Sequence, residues 1–146
     1  MNLKLVRENQ QLLASIYDSA RSGDWEVLLG LFDPGVVLYE SEALPVGGTY
    51  RGIDEVGAVL ARLSTVLDGG SLEVEYICAD EHHAVASLRV RFADGSGETR
   101  ISEHVTIRDG VAVELRPFYW DTDAVNAAIE RADTSESGSN TRWTDD

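Results

Sequence analysis

Three turn signals at nearly even spacing dominate the second half of the chain: Asp80-Glu81, Asp94-Gly95 and Asp109-Gly110. Asp-Gly between β-branched and aromatic runs is a strong hairpin signal, because both residues accept the backbone a tight turn needs. The runs between these turns predict strands from Leu72 to Cys78, from about His83 to Phe92, from about Glu98 to Ile107, and from Val111 to about Tyr119. Four strands joined by hairpins make an antiparallel meander, and a meander with one apolar face needs a covering layer. In the first of them Leu72, Val74, Tyr76 and Cys78 alternate with Glu73 and Glu75, which predicts the former set, Cys78 included, on the inner face.

The first half supplies the cover. Leu5, Leu12, Ile16 and Ala20 share one helical face, with Leu13 and Tyr17 beside them, and Gly23 suits a left-handed cap. Asp24 then caps a short second helix that turns Trp25, Leu28, Leu29 and Phe32 inward, and Pro34-Gly35 ends it. Val36 to Glu40 reads as a strand and Ser41 to Gly48 as a loop. After Gly52, the stripe Ile53, Val56, Val59, Leu60, Leu63 and Leu67 predicts a third helix, broken at Asp68-Gly69-Gly70. Asp121 caps a final short helix through Val125 and Ile129. The segment from Asp133 onward is mostly Ser, Thr, Gly, Asn and Asp and reads as a disordered acidic tail. The prediction is a single α+β domain over residues 1–132 and a tail over 133–146.

A formal net charge of −14 argues against nucleic acid, whose phosphates demand a basic surface, and against anionic membranes. No apolar run approaches the ~20 residues of a membrane span. The first ten residues carry Lys4, Arg7 and Glu8 and lack a signal-peptide core, so the expected compartment is the cytoplasm. His82, His83 and His104 show no ligand spacing, and no phosphate loop or nucleotide fingerprint is present, so the expected cofactor is none and the expected metal is none. The single cysteine, Cys78, reads as a small buried hydrophobe.

The order of elements resembles the nuclear-transport-factor-2-like superfamily, with its cystatin-like cone, and within it the SnoaL-like group of polyketide cyclases and ketosteroid isomerases. Three stretches carry the resemblance: "SGDWEVLLGLFDPGVVLYE", similar to the family's second helix and first strand; "GGTYRGIDEVGAVLARL", similar to its third helix; and "VTIRDGVAVELRPFYWD", similar to its terminal hairpin. The resemblance covers roughly residues 8 to 130. It implies a curved antiparallel sheet wrapped on the N-terminal helices, a pocket between them and a homodimer made by the outer sheet face. It does not settle function, because the fold hosts isomerases, cyclases, epoxide hydrolases, dehydratases and binding modules.

Polar residues that interrupt apolar faces are the candidates for chemistry. Glu40 shares its strand face with Val36 and Leu38. Burial would raise its pKa and make it a general base near neutral pH. Ketosteroid isomerases place their proton-shuttling carboxylate eight residues after the Phe of an "LF" pair, and Phe32 plus eight is Glu40. The alternative is a register slip that leaves Glu40 in solvent. Glu103 interrupts the stripe Ile101, Val105, Ile107, and "SEHVTI" resembles the isomerase strand whose protonated acid stabilises an oxyanion. The alternative is an ion pair with Arg100 or Arg116. By resemblance a helical Tyr donates to the oxyanion, but the matching position falls nearer Ile16 than Tyr17. Tyr17, Trp25, Tyr50 and Tyr119 are candidate substrate-binding residues, Tyr119 because it is read on the same face as Val113 and Leu115. His104 alternates away from Glu103, and His82 and His83 fall at a turn in solvent.

The limonene-type epoxide hydrolases of this fold place an acid directly after an Arg on the last strand. Here Arg116 is followed by Pro117, so that water-activating arrangement is absent. The expectation is a cofactor-independent acid–base enzyme of isomerase or cyclase type. It would act on a small apolar carbonyl- or epoxide-containing substrate, with Glu40 as base and Glu103 as neutral acid. The competing reading is a non-catalytic ligand-binding or dimeric association module of the same fold.

Overall fold

The structure, a computed structural model, describes residues 1–141. The chain runs α1 (Leu3–Ser22), α2 (Trp25–Gly30), β1 (Phe32–Glu40), β2 (Gly48–Arg51), α3 (Ile53–Leu63), β3 (Leu67–Ala79), β4 (His83–Phe92), β5 (Glu98–Arg108), β6 (Val111–Tyr119) and α4 (Thr122–Thr141). Six strands form one sheet in the order β2-β1-β6-β5-β4-β3. All neighbours are antiparallel except β1 and β6, which run parallel. The three predicted hairpins join β3 to β6, and the sheet is completed by β1 laid beside β6 and by the short β2, which forms where a loop and helix lead-in were expected.

The helices cover the inner face. α1 packs on β3 and β4, and α3 packs on β1 and β2. Leu12, Leu13, Ile16 and Tyr17 of α1 are buried, as are Val56, Val59 and Leu63 of α3. Gly23 ends α1 in the left-handed region at φ +74°, and its N–H bonds the Ala20 carbonyl. The Asp24 carboxylate accepts from the Val27 N–H at 3.2 Å and starts α2. Asn9, 1% exposed, ties α1 to the β3–β4 turn by donating from Nδ2 to the carbonyls of Asp80 and Glu81, each at 3.0 Å. Asn9→Ala removes both bonds and should cost about 1–2 kcal/mol of stability, read as a lower urea midpoint at unchanged slope.

Several boundaries differ from the sequence-based expectation, and irregular strand pairing explains most of them. Phe32 belongs to β1 rather than α2, and Pro34-Gly35 lies within that strand, where the β1–β6 register shifts between Phe32 and Val37. Leu67 begins β3 rather than extending α3, and Asp68-Gly69-Gly70 is an irregularity inside β3 instead of a break before it. A second shift in β3, between Val74 and Tyr76, flips the alternation. Leu72 and Val74 turn inward, but beyond the shift Ile77 and Ala79 take the inner face, leaving Tyr76 61% exposed and Cys78 exposed. Cys78 is therefore not the buried residue its alternation predicted. The same effect between Thr106 and Ile107 puts Ala112 rather than Val113 on the inner face of β6.

α4 is longer than the predicted short helix and carries helical structure through Thr141, into the segment read as a disordered tail; residues 142–146 of that segment lie outside the described residues. Val125, Ala128 and Ile129 bury one side of it. Beyond them Arg62 pairs with Asp133 at 3.1 Å, and the Thr134 hydroxyl donates back to the Glu130 carbonyl.

Candidate active site

Between the helices and the sheet lies a cavity of about 180 Å³. Its walls are mostly apolar: Ile16 and Ala20 from α1, Leu60 and Leu63 from α3, Leu88 and Val90 from β4, Leu115 from β6. Trp25, 37% exposed, stands on its rim with the exposed Ser64 and the half-buried Gly69. Four polar side chains interrupt the lining deep in the fold: Tyr17, Glu40, Glu103 and Tyr119.

Strand alternation aims both acids inward. Val36, Leu38 and Glu40 are buried in turn along β1, so Glu40 ends an inner stripe at 5% exposure rather than slipping into solvent. Gly47 pins the chain just beyond it, because a Cβ there would lie 2.5 Å from the Ser41 carbonyl oxygen. On β5, Ile101, Val105 and Ile107 are buried around Glu103. Glu103 itself is half-buried and lines the cavity. Glu103 pairs across the ladder with Pro117 of β6. Glu40 lies two residues past the parallel Leu38–Leu115 pair, which brings it level with Pro117 from the other side. With neighbouring strands about 4.8 Å apart, the two acid-bearing backbones stand roughly 10 Å apart with Pro117 between them.

The electrostatics of the two acids differ. Burial drives the Glu40 pKa up to about 7; the Tyr119 hydroxyl and the Ser41 N–H pull it partly down, and the charge of Glu103 pushes it up again. Those two donors are near enough to matter electrostatically, yet neither makes a hydrogen bond of ordinary geometry, and both Glu40 carboxyl oxygens are buried without a partner. A buried carboxylate left in this state costs several kcal/mol unless it takes a proton or a ligand supplies a donor. Glu103 accepts from the Tyr17 hydroxyl at 3.0 Å. Burial raises its pKa and the Tyr17 bond offsets part of that. The Tyr17 bond engages Oε1 and leaves Oε2 as the oxygen that a proton on Glu103 would occupy. Tyr17 is held well above its ordinary pKa by burial, then by the Glu103 charge and bond, so it remains a donor; Tyr119 is raised likewise, by burial and then by Glu40.

The structure thus brings Tyr17, Trp25, Glu40, Glu103 and Tyr119 to one cavity. Tyr50 is the exception: its hydroxyl donates to the Val46 carbonyl at 2.8 Å and it does not line the cavity, so it buttresses the loop after Glu40. The ion pairs offered as an alternative for Glu103 are absent, since Arg100 pairs with Glu75 at 3.0 Å and Arg116 stacks on the Tyr39 ring at 4.5 Å. His104 is exposed and packs on Phe118 outside the cavity. Sequence reasoning missed Pro117 as the floor between the acids and Phe32 as a wall residue. A proline inside a strand pattern was the available signal for the first. Among the described residues no group of three or more His, Cys, Asp or Glu could hold a metal ion, and no helix is long and apolar enough to cross a membrane.

Comparison with known proteins agrees with this architecture. No curated protein matches the chain by sequence. Among solved structures, a protein with cystatin-like fold from Xanthomonas campestris superposes with TM-score 0.71 at 23% identity, covering 81% of this chain and 95% of that one. A nuclear-transport-factor-2-like protein from Burkholderia pseudomallei gives 0.70 at 19% identity, covering 84% and 97%. TerC, crystallised with polyporic acid, gives 0.71 at 24% identity, covering 84% and 98%. These likenesses show the fold. The profile of the SnoaL-like domain matches residues 13–115, well over half of the chain and a span that includes Tyr17, Glu40 and Glu103, and the protein belongs to that family.

Proposed function

We propose that the protein is a cofactor-independent acid–base enzyme of the isomerase or cyclase type, acting on a small apolar carbonyl- or epoxide-containing compound. The observation that carries this reading is Glu40: a carboxylate with no hydrogen-bond partner, facing an apolar cavity, poised to exchange a proton near pH 7. A base works best when its pKa lies near the operating pH. Glu103, across Pro117, supports the complementary role. Burial raises its pKa and so favours the protonated form, which donates a hydrogen bond or a proton where negative charge develops on the substrate, and Tyr17 orients it. Two acids in one apolar site take opposite roles because their surroundings differ, not their chemistry.

The size of the cavity bounds the substrate. An apolar protein cavity of about 150 Å³ holds a benzene molecule. The 180 Å³ here suits a single ring with a few substituents, with larger groups extending past Trp25 into solvent. In this reading the protein acts in the cytoplasm as a homodimer through the outer sheet face, where Phe118 is 51% and Tyr76 61% exposed.

Titrating the glutamate side-chain carboxyls by NMR tests the assignment. Glu40 should titrate near 7 and Glu103 above its ordinary value. Glu103→Gln should leave Glu40 titrating near 7, because a protonated Glu103 has no charge to remove; a fall in the Glu40 value would show that Glu103 is ionised and is not the neutral acid. Ordinary titration of both acids, near ~4.3, would overturn the acid–base reading in favour of a non-catalytic binding module.

A further inference from the structure

Glu40 borders two cavities, and the second lies at the strand ends, lined by residues of both sheet faces. The parallel ladder between β1 and β6 ends at the Leu38–Leu115 pair. The reason lies at Pro117. The Trp120 N–H bonds the Arg100 carbonyl at 3.0 Å, so position 120 faces β5. Backbone N–H groups alternate along a strand, so three residues earlier position 117 faces β1. Proline has no N–H to give there, and the ladder cannot continue. Past this point a cleft of about 410 Å³ lies between the two strand ends. Residues of both sheet faces line it: Tyr39, Arg116 and Phe118 from the outside, Glu40, Pro117 and Tyr119 from the inside. The last three also line the inner cavity.

We propose that this cleft is an aqueous route through the sheet to Glu40, so that an organic ligand meets the carboxyl group from the inner cavity while water and protons reach it from the outer face. The inference builds on the reading of Glu40 as a proton-transfer group, and it gives that group a way to exchange its proton while the apolar cavity is occupied. Three features of the cleft support it. Its mouth carries polar groups, with the Arg116 guanidinium in no ion pair among the described residues and Thr49 and Thr122 beside it. The Glu40 oxygens are buried and unpartnered, which is the situation a bridging water relieves. The inner cavity is walled by aliphatic and aromatic side chains over most of its surface and offers water few partners.

A thiol placed at this position reports which side is open. Cys78 is the only cysteine in the chain, so Glu40→Cys combined with Cys78→Ser leaves one reactive thiol. The probe is 2-(trimethylammonio)ethyl methanethiosulfonate, a charged, water-soluble reagent, and the modification rate is followed by mass spectrometry. Thr49→Trp, on the exposed wall of the cleft, should slow modification at least tenfold. Ser64→Trp, on the rim of the inner cavity, should change the rate less than twofold. Circular dichroism and the melting temperature confirm that each variant is folded, and Thr49→Tyr serves if Thr49→Trp is destabilised. Slowing by Ser64→Trp, or by neither substitution, would overturn the proposal. The result is independent of catalysis: an open route in a protein whose turnover survives Glu40→Gln would overturn the enzyme reading and leave the route standing.

Discussion

Glu40→Gln lowers turnover by roughly 10²–10⁴-fold, the contribution typical of a positioned general base, while the fold is retained. The substitution keeps the shape of the protonated acid and removes only its ability to take a proton. It should be well tolerated, because the carboxyl oxygens it replaces have no hydrogen-bond partner to lose. A general assay that does not presuppose the natural substrate is deuterium exchange at the carbon next to the carbonyl of a one-ring ketone such as cyclohexanone, followed by NMR in D₂O. The wild-type protein should accelerate the exchange and Glu40→Gln should not. Glu103→Gln provides the contrast. An amide still donates a hydrogen bond, so if Glu103 serves as a neutral donor the loss should be smaller, about 10-fold, within the range of one charge-neutral hydrogen bond. Equal losses in the two variants would mean that Glu103 transfers a proton in full. Wild-type exchange in Glu40→Gln would remove Glu40 from the chemistry altogether.

The legible part of this site was the part set by period. Alternation along β1 and β5 was enough to see that Glu40 and Glu103 interrupt apolar stripes, since a strand turns every second residue to one face whatever its partners are. The hairpins were legible because Asp-Gly has a local conformational preference. What could not be read were the places where pairing departs from regularity. At Val74–Tyr76 and at Thr106–Ile107 one strand carries an extra residue, and every side chain beyond it changes face. That moved Cys78 and Val113 outward and Ala79 and Ala112 inward. No residue type dictates such a shift; it is settled by which set of side chains the core can bury. Pro117 was visible in the sequence only as a departure from a hydrolase pattern. Its place between two acids required knowing that β1 lies beside β6, a pairing between strands almost eighty positions apart that no local signal encodes. The cavity volume was equally out of reach, since it depends on how completely Leu60, Leu63, Leu88 and Val90 fill the space between layers.

The second large effect is on stability, and its sign follows from the direction of the Glu40 shift. Its ordinary pKa of 4.5 rises to about 7 in the folded chain. The folded state therefore binds this proton more tightly than the unfolded state does. Stability contributed by the protonated form is fully present below about pH 4.5 and is lost as pH rises through 7. At about 1.4 kcal/mol per pKa unit, the loss is on the order of 3 kcal/mol by pH 8.5, a large share of the 5–15 kcal/mol that holds a typical domain together. Glu103, also raised, adds to the same trend. Asp80 and Asp94 are held below their ordinary pKa, so their contributions are lost only at more acidic pH and do not mask the effect between pH 5 and 8.5. Glu40→Gln has no proton to lose. Relative to wild type it should gain about 3 kcal/mol between pH 4.5 and 8.5, read by urea unfolding at a series of pH values. Parallel stability–pH curves for the two proteins would mean that Glu40 titrates normally. A variant that is more stable at pH 8.5 and inactive would identify the buried charge as a cost retained for chemistry, since a group kept only for the fold would not be improved by neutralising it.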